Sequence, residues 1–228
     1  DQGRVNGVQF KGAVYTNISR DHLDYHGSME DYLAAKLKLL QAPGLSFVVV
    51  NLDDASSDQI IASVPKTVAV WGVSANGKKC NRGESLVAEA IQHSPDGTEF
   101  TVHWQGKVQH IKTTLFGDFN VENLLCVLGV LLALGETLNE AAIKMQAIKP
   151  VPGRLERCGT KVNELNIFVD YAHTPDALYR VLASLRKHCN KALWVVFGCG
   201  GNRDTGKRPQ MGNIAEQWAD KVIITDDN

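Results

Sequence analysis

Three apolar runs towards the end of the chain constrain its fold more than any other feature. "LNIFVDYAH", "ALWVVFG" and "KVIITDD" are short and rich in β-branched and aromatic residues. Helix signals separate them, one segment opening at Pro175 behind Thr174 and the other at Pro209. Alternation of this kind predicts a parallel, Rossmann-like sheet, because each helix carries the chain back to the end where the previous strand began. Ligand sites in such sheets lie outside the carboxyl ends of the strands. "VDYAHTP" places Asp170 and His173 at one of those ends.

Upstream the texture differs. "KGAVYTNI" and "LSFVVVNLDD" read as buried strands, with "SMEDYLAAKLKLL" between them as a helix that Ser28 and Asp31 cap. "TVAVWGV", "TEFTVHW" and "KVQHIKTTL" follow as strands, the last two as a hairpin across Gly106. A long helix is expected from about Asn120 to Leu134, stopped by Gly135, and a second behind the Thr137–Glu140 capping box. "KPVPGRLE" is the linker candidate, so the expected organisation is two α/β domains, 1–150 and 151–228.

A net charge of −1 argues against coating nucleic acid or a polybasic membrane role. "LLCVLGVLLALG" is too short to span a bilayer. The five cysteines form no C-x-x-C pair and no signal peptide is visible, which points to a reduced cytoplasmic compartment. Residue 1 is not Met and the last residues end a strand, so a fragment is expected.

Several constellations bear on chemistry. Gly201 to Lys207 reads G-x-x-x-x-G-K, but Arg208 stands where a P-loop needs a Mg²⁺-ligating hydroxyl. Met29, Leu33, Leu37 and Leu40 share a helix face, and Lys36 falls between Tyr32 and that stripe. Such a lysine either snorkels to the boundary or is a desolvated, nucleophilic amine able to react with CO₂ and become a metal-binding carbamate. His22 and His26, with Asp21 and Asp24 among them, are donors of the kind that hold Mg²⁺, Mn²⁺ or Zn²⁺, or else solvated loop residues. Asn120 and Asn123 lie one helical turn apart; Asn120 is an N-cap candidate, and Asn123 is suited to reading a purine edge.

Together "TNISRDHLDYHGSMEDYLAAK", "GDFNVENLL", "VPGRLE", "VDYAHTPDAL", "FGCGGNRDTGKRP" and "TDDN" resemble the Mur ligase family, in family order and over nearly the whole chain. The resemblance is to those members that add a diamino acid to UDP-MurNAc-L-alanyl-D-glutamate. It implies part of a central ATPase-type domain followed by the first half of a Rossmann-like C-terminal domain, and an ATP-dependent amide ligase working through an acyl phosphate with Mg²⁺. It implies that Lys36 is carbamylated and supports Mg²⁺ with His22 beside it. Asn120 and Asn123 fall on the adenine side, and Arg154, Asp170 and His173 on the ATP ribose and phosphate region. Gln2 and Arg4 match positions that hold the UDP-muramoyl dipeptide; Arg203, Asp227 and Asn228 fall on the diamino-acid pocket. The family's P-loop would lie upstream of residue 1, which makes G-x-x-x-x-G-K a coincidence of spacing and leaves the isolated chain inactive. Diaminopimelate, rather than lysine, is favoured by "DYHGSMEDYLAAK". A monomer is expected, with small-molecule partners only. The competing readings are a folylpolyglutamate-type ligase, a non-catalytic module of the same fold, and a zinc hydrolase built on His22 and His26.

Overall fold

The computed structural model describes residues 5, 7–18, 28–162, 165–200 and 206–226. The chain divides into two units: residues 1–91, 100–111 and 121–145 form the first, and 92–99, 112–120 and 146–228 the second.

In the first unit β1 (Gly12–Tyr15), β2 (Phe47–Asn51), β3 (Ala69–Ser74) and β4 (Glu84–Ser94) lie parallel and in chain order. The sheet continues through β5 (Gly97–Trp104) and β6 (Lys107–Thr113) to six strands. Gln105 and Gly106 alone join β5 to β6, and both have positive φ, 48° and 73°. That is the geometry whose twist matches a two-residue hairpin, so the expected reversal at Gly106 is borne out. Every residue of β2 is buried, as a strand covered on both faces must be.

One face of this sheet packs on α1 (Met29–Leu37), the 3₁₀ turn Lys38–Gln41 and α2 (Ser57–Ser63), around Leu40, Val48, Val50, Ile60 and Val70. The other carries α3 (Asp118–Ala133), whose buried Val121, Leu124, Leu125, Leu128 and Leu132 recur at helical spacing. Gly129 permits this approach, since a Cβ there would stand 3.0 Å from a Val49 methyl. Gly135 (φ +98°) ends the helix as expected, its N–H meeting Leu132 O and that of Glu136 meeting Leu131 O. The Ser28 cap of α1 and the Thr137–Glu140 box of α4 (Leu138–Gln146) both form.

The second unit holds β7 (Glu156–Val162), β8 (Leu165–Val169), α5 (Pro175–His188), β9 (Trp194–Phe197), α6 (Lys207–Trp218) and β10 (Lys221–Ile224). β9 and β10 are parallel, as expected, but β8 instead pairs antiparallel with β7. The linker candidate leads straight into β7, a strand not foreseen. Leu178, Leu182 and Leu185 of α5 join Met211 and Ala215 of α6, Leu155, Leu193, Val195 and Phe116 in one core. The helix expected from Pro209 begins two residues earlier, with Pro209 inside its first turn, where a missing N–H costs nothing.

His188, only 6% exposed, joins three segments of this unit. Gly117 N–H donates to its Nε2 at 3.1 Å, and Nδ1 lies 2.8 Å from Ser94 O. A carbonyl only accepts and an amide N–H only donates, so the ring is neutral and carries its proton on Nδ1.

Candidate functional site

The loop after β8 gathers three residues singled out in the sequence. Asp170 accepts from Leu155 N–H (2.7 Å) and Ala172 N–H (2.8 Å), one per carboxylate oxygen. Leu155 is held from both sides: its side chain is buried, and its φ is +47°. A bulky residue rarely adopts that conformation, and such strain persists where surrounding contacts over-determine it. With Leu155 pinned inward, its neighbour Arg154 is turned out, and the guanidinium lies 5.0 Å from the Tyr171 ring centroid. His173 Nδ1 donates to Tyr171 O at 2.9 Å, and its ring meets Tyr171 edge-on. Thr174 then caps α5 and Pro175 opens it, as expected. The result is an exposed cation, an exposed aromatic face and an imidazole together at a strand's carboxyl end.

Two contributors to this cluster were missed. Lys207 donates from Nζ to His173 O at 3.1 Å. Its sequence signal is the Lys of the glycine-rich run, which points to a P-loop rather than to His173. Tyr171 lies inside "VDYAHTP", where nothing in the sequence distinguishes it from its neighbours.

Asn120 is not the N-cap. The helix begins at Asp118, and the Asn120 amide donates back to Phe116 O at 2.8 Å. Asn123, one turn on, is exposed on the same helix. Lys36 lies on α1 with its side chain exposed, not in the apolar stripe; its ammonium lies 5.1 Å from the ring centroid of buried Tyr32, one turn earlier. The Tyr15 hydroxyl donates to Lys36 O at 2.9 Å, and burial pushes that phenol up to about 12, so it stays a donor at any physiological pH.

At the carboxyl ends of β1 to β3 a polar network went unread in the sequence. Asp54 accepts from Ile18 N–H and Ser56 N–H, Asp53 from Ser74 Oγ and Ala75 N–H, and Lys78 donates to Leu52 O. A cavity of about 200 Å³ opens beside it, lined by Leu52, Ser57, Asp58, Lys78 and Cys80 among others; no sequence-predicted site residue lines it.

Gln2, Arg4, His22, His26, Arg203, Asp227 and Asn228 lie outside the described residues. Among the described residues no three His, Cys, Asp or Glu side chains gather to hold a metal, and no helix is long and apolar enough to cross a membrane.

Residues 1–131 match the Mur ligase middle domain and residues 153–228 the Mur ligase glutamate ligase domain. The chain belongs to the Mur ligase family. Within it, the chain is 48% identical over 227 residues to the UDP-N-acetylmuramoyl-L-alanyl-D-glutamate--2,6-diaminopimelate ligase of Coxiella burnetii, covering all of this chain and 46% of that protein. A solved structure of a ligase of the same name matches with a TM-score of 0.76 and 39% identity, over 100% of this chain and 46% of the other. The MurF ligase of Thermotoga maritima, solved in complex with ADP, shares the fold (TM-score 0.72, 19% identity, 94% of this chain and 48% of that one). The chain spans about half the length of the curated relatives it matches.

Proposed function

We propose that the protein carrying this chain is an ATP-dependent amide ligase of peptidoglycan precursor synthesis. It joins a diamino acid, meso-diaminopimelate, to UDP-MurNAc-L-alanyl-D-glutamate. One observation carries the reading: 48% identity, along the entire chain, to ligases named for that reaction. The D-glutamyl carboxylate attacks the γ-phosphorus of ATP, releasing ADP and leaving an acyl phosphate. The amine of the diamino acid adds to the acyl carbon and gives up a proton to solvent, and the tetrahedral adduct expels inorganic phosphate as the amide forms.

The residue roles are those the family resemblance implies, and each residue's chemistry is compatible with its role. Arg154 would donate to the triphosphate, His173, whose Nδ1–H is engaged by Tyr171 O, would offer Nε2 to a ribose hydroxyl, and Asp170 fixes the turn that aims Arg154. Asn120 and Asn123 lie on the adenine side. Gln2 and Arg4 would contact the UDP-muramoyl dipeptide, and Arg203, Asp227 and Asn228 the diamino acid, whose carboxylate an Arg fork pairs in bidentate fashion. Residues 1–150 are the middle-domain part and 151–228 the C-terminal part.

Lys36 is exposed rather than desolvated as expected, so its carbamylation rests in this reading on the family resemblance: a deprotonated Nζ adds to CO₂ and loses a proton, giving an anionic oxygen donor. The fit depends on that conversion, since an ammonium repels a cation, and with His22 it supplies the O and N donors a divalent ion takes. Bound there, Mg²⁺ would neutralise phosphate charge. The protein is cytoplasmic and monomeric in this reading, with no nucleic-acid or membrane partner.

The test uses the full-length protein with ATP, UDP-MurNAc-L-alanyl-D-glutamate and either meso-diaminopimelate or L-lysine, following phosphate release and product mass. Tripeptide formation with diaminopimelate at a rate well above that with lysine is expected. The reverse preference overturns the acceptor, and phosphate release independent of the UDP substrate overturns the ligase. Lys36→Ala should lower kcat far more than it raises KM for ATP, because a carbamate acts mainly in the transition state. Wild-type kcat would return Lys36 to a boundary lysine.

A further inference from the structure

Asn51 closes β2, is 2% exposed, and uses its whole carboxamide. Nδ2 donates to Thr16 O, just past β1, at 3.0 Å and to the Glu122 carboxylate on α3 at 2.9 Å. Its Oδ1 accepts Asp53 N–H at 3.1 Å. All four residues belong to the first unit, and three separate segments converge on one buried side chain. A carboxamide alone among side chains of this size donates twice and accepts at once. An aspartate would meet Thr16 O and Glu122 with acceptors; an alanine would remove all three bonds from this partly buried junction.

The position on α3 gives the network its meaning. Glu122 turns inward to Asn51, while Asn123, the next residue, is exposed. The rest of the buried face of α3 is aliphatic apart from Cys126 and Gly129, and apolar packing is non-directional. Just past the first turn the Asn51–Glu122 bond adds a directional contact to the orientation that the apolar face and the Gly129 seat already give the helix. A charge-assisted bond is short and oriented, as an apolar contact is not.

We propose that Asn51 is a positioning residue for nucleotide recognition: through Glu122 it sets the direction in which Asn123 faces the base. This rests on the nucleotide-side reading of Asn123 above. Asn51 itself touches no substrate.

The test compares Asn51→Asp, Asn51→Asp combined with Glu122→Gln, Glu122→Ala and Asn123→Ala in the full-length protein, with each substrate varied at saturation of the others. Asn51→Asp should raise KM for ATP about tenfold, the order expected for losing a hydrogen bond to a charged group. KM for the UDP-linked dipeptide should stay within about twofold, a shift worth only ~0.4 kcal/mol. The double variant should recover part of the loss, because the carboxamide introduced on the helix can donate to the carboxylate introduced on the strand. Glu122→Ala reads the same contact from the helix side if Asn51→Asp does not fold, and should also raise KM for ATP. Parallel changes in all KM values, no recovery in the double variant, or an unshifted KM in Glu122→Ala would each reduce Asn51 to a structural residue. If Asn123→Ala leaves KM for ATP unchanged, the nucleotide reading itself fails; if Asn123→Ala raises it while the Asn51 and Glu122 variants do not, only the present inference fails.

Discussion

Two sets of strand ends carry polar residues in this molecule, and they are built in opposite ways. At the ends of β1 to β3, Asn51 is buried and the Asp53 and Asp54 carboxylates are tied to backbone N–H groups, under a sheet covered on both faces. At the end of β8, Arg154, Tyr171 and His173 are all exposed, and only Asp170 and Leu155 beneath them are fixed. The first arrangement uses its polar groups to hold segments together. The second leaves them open to a ligand. Substitutions should therefore cost stability in the first, where they reach recognition only through the placement of α3, and should act on recognition directly in the second.

The largest expected effect is Leu125→Ala, on the buried face of α3, where relative exposure is 0%. Deleting that side chain should cost about 2–5 kcal/mol in urea unfolding. A loss under about 1 kcal/mol would mean that the first unit is no better packed than the second.

Asp170→Ala should come next, at about 1–3 kcal/mol, since it strips the Leu155 and Ala172 N–H groups of their acceptor. It probes the fixed point under an otherwise open loop. Tyr171→Ala, directly above it and 64% exposed, should change stability by no more than about 0.5 kcal/mol. Equal losses from the two would erase the distinction between support and surface.

A smaller effect depends on pH. Burial pushes the His188 imidazole below its ordinary 6.5; the Ser94 carbonyl opposes this, and His93 adds to it. Because the folded form prefers the neutral ring, the unfolded chain takes up a proton more readily. The contribution is full above pH 6.5 and is lost as pH falls through the lower folded value. Asp118 titrates in a separate window. Burial alone would raise its carboxyl, but bonds and charge from Lys187 and His93 outweigh this and hold it below 3.8, so its contribution is lost only in stronger acid. Tm measured from about pH 7.5 downward should decline first in the His188 window, and His188→Gln should flatten that first decline alone. An unchanged profile would remove His188 as its cause.

Much of this was legible in the sequence, for local reasons. Ser28, Thr137, Thr174 and Gly135 act within one turn of themselves, so their caps and stop could be read directly. Asp170 and His173 were found because a strand-to-helix switch marks a strand end. β4 was missed because "ESLVAEAIQHS" is rich in the helix formers Ala, Glu and Gln, and only its pairing with β3 makes it a strand. β7 was hidden by the prolines before it, and Lys207 by a motif that distracted from it. Asn51 carried no signal at all, since its partners lie 35 and 71 residues away in sequence.

The two-residue turn at Gln105 and Gly106 has a kinetic consequence. β5 and β6 need close only that turn to meet, whereas β1 must wait for residues 16–46 to fold back before it finds β2. Hairpins form in about 1–10 μs, and pairings distant in sequence are slower because loop-closure entropy must be overcome first. During refolding the antiparallel edge should thus assemble ahead of the parallel strands, and amides of β5 and β6 should gain protection in pulse-labelled hydrogen exchange before those of β1.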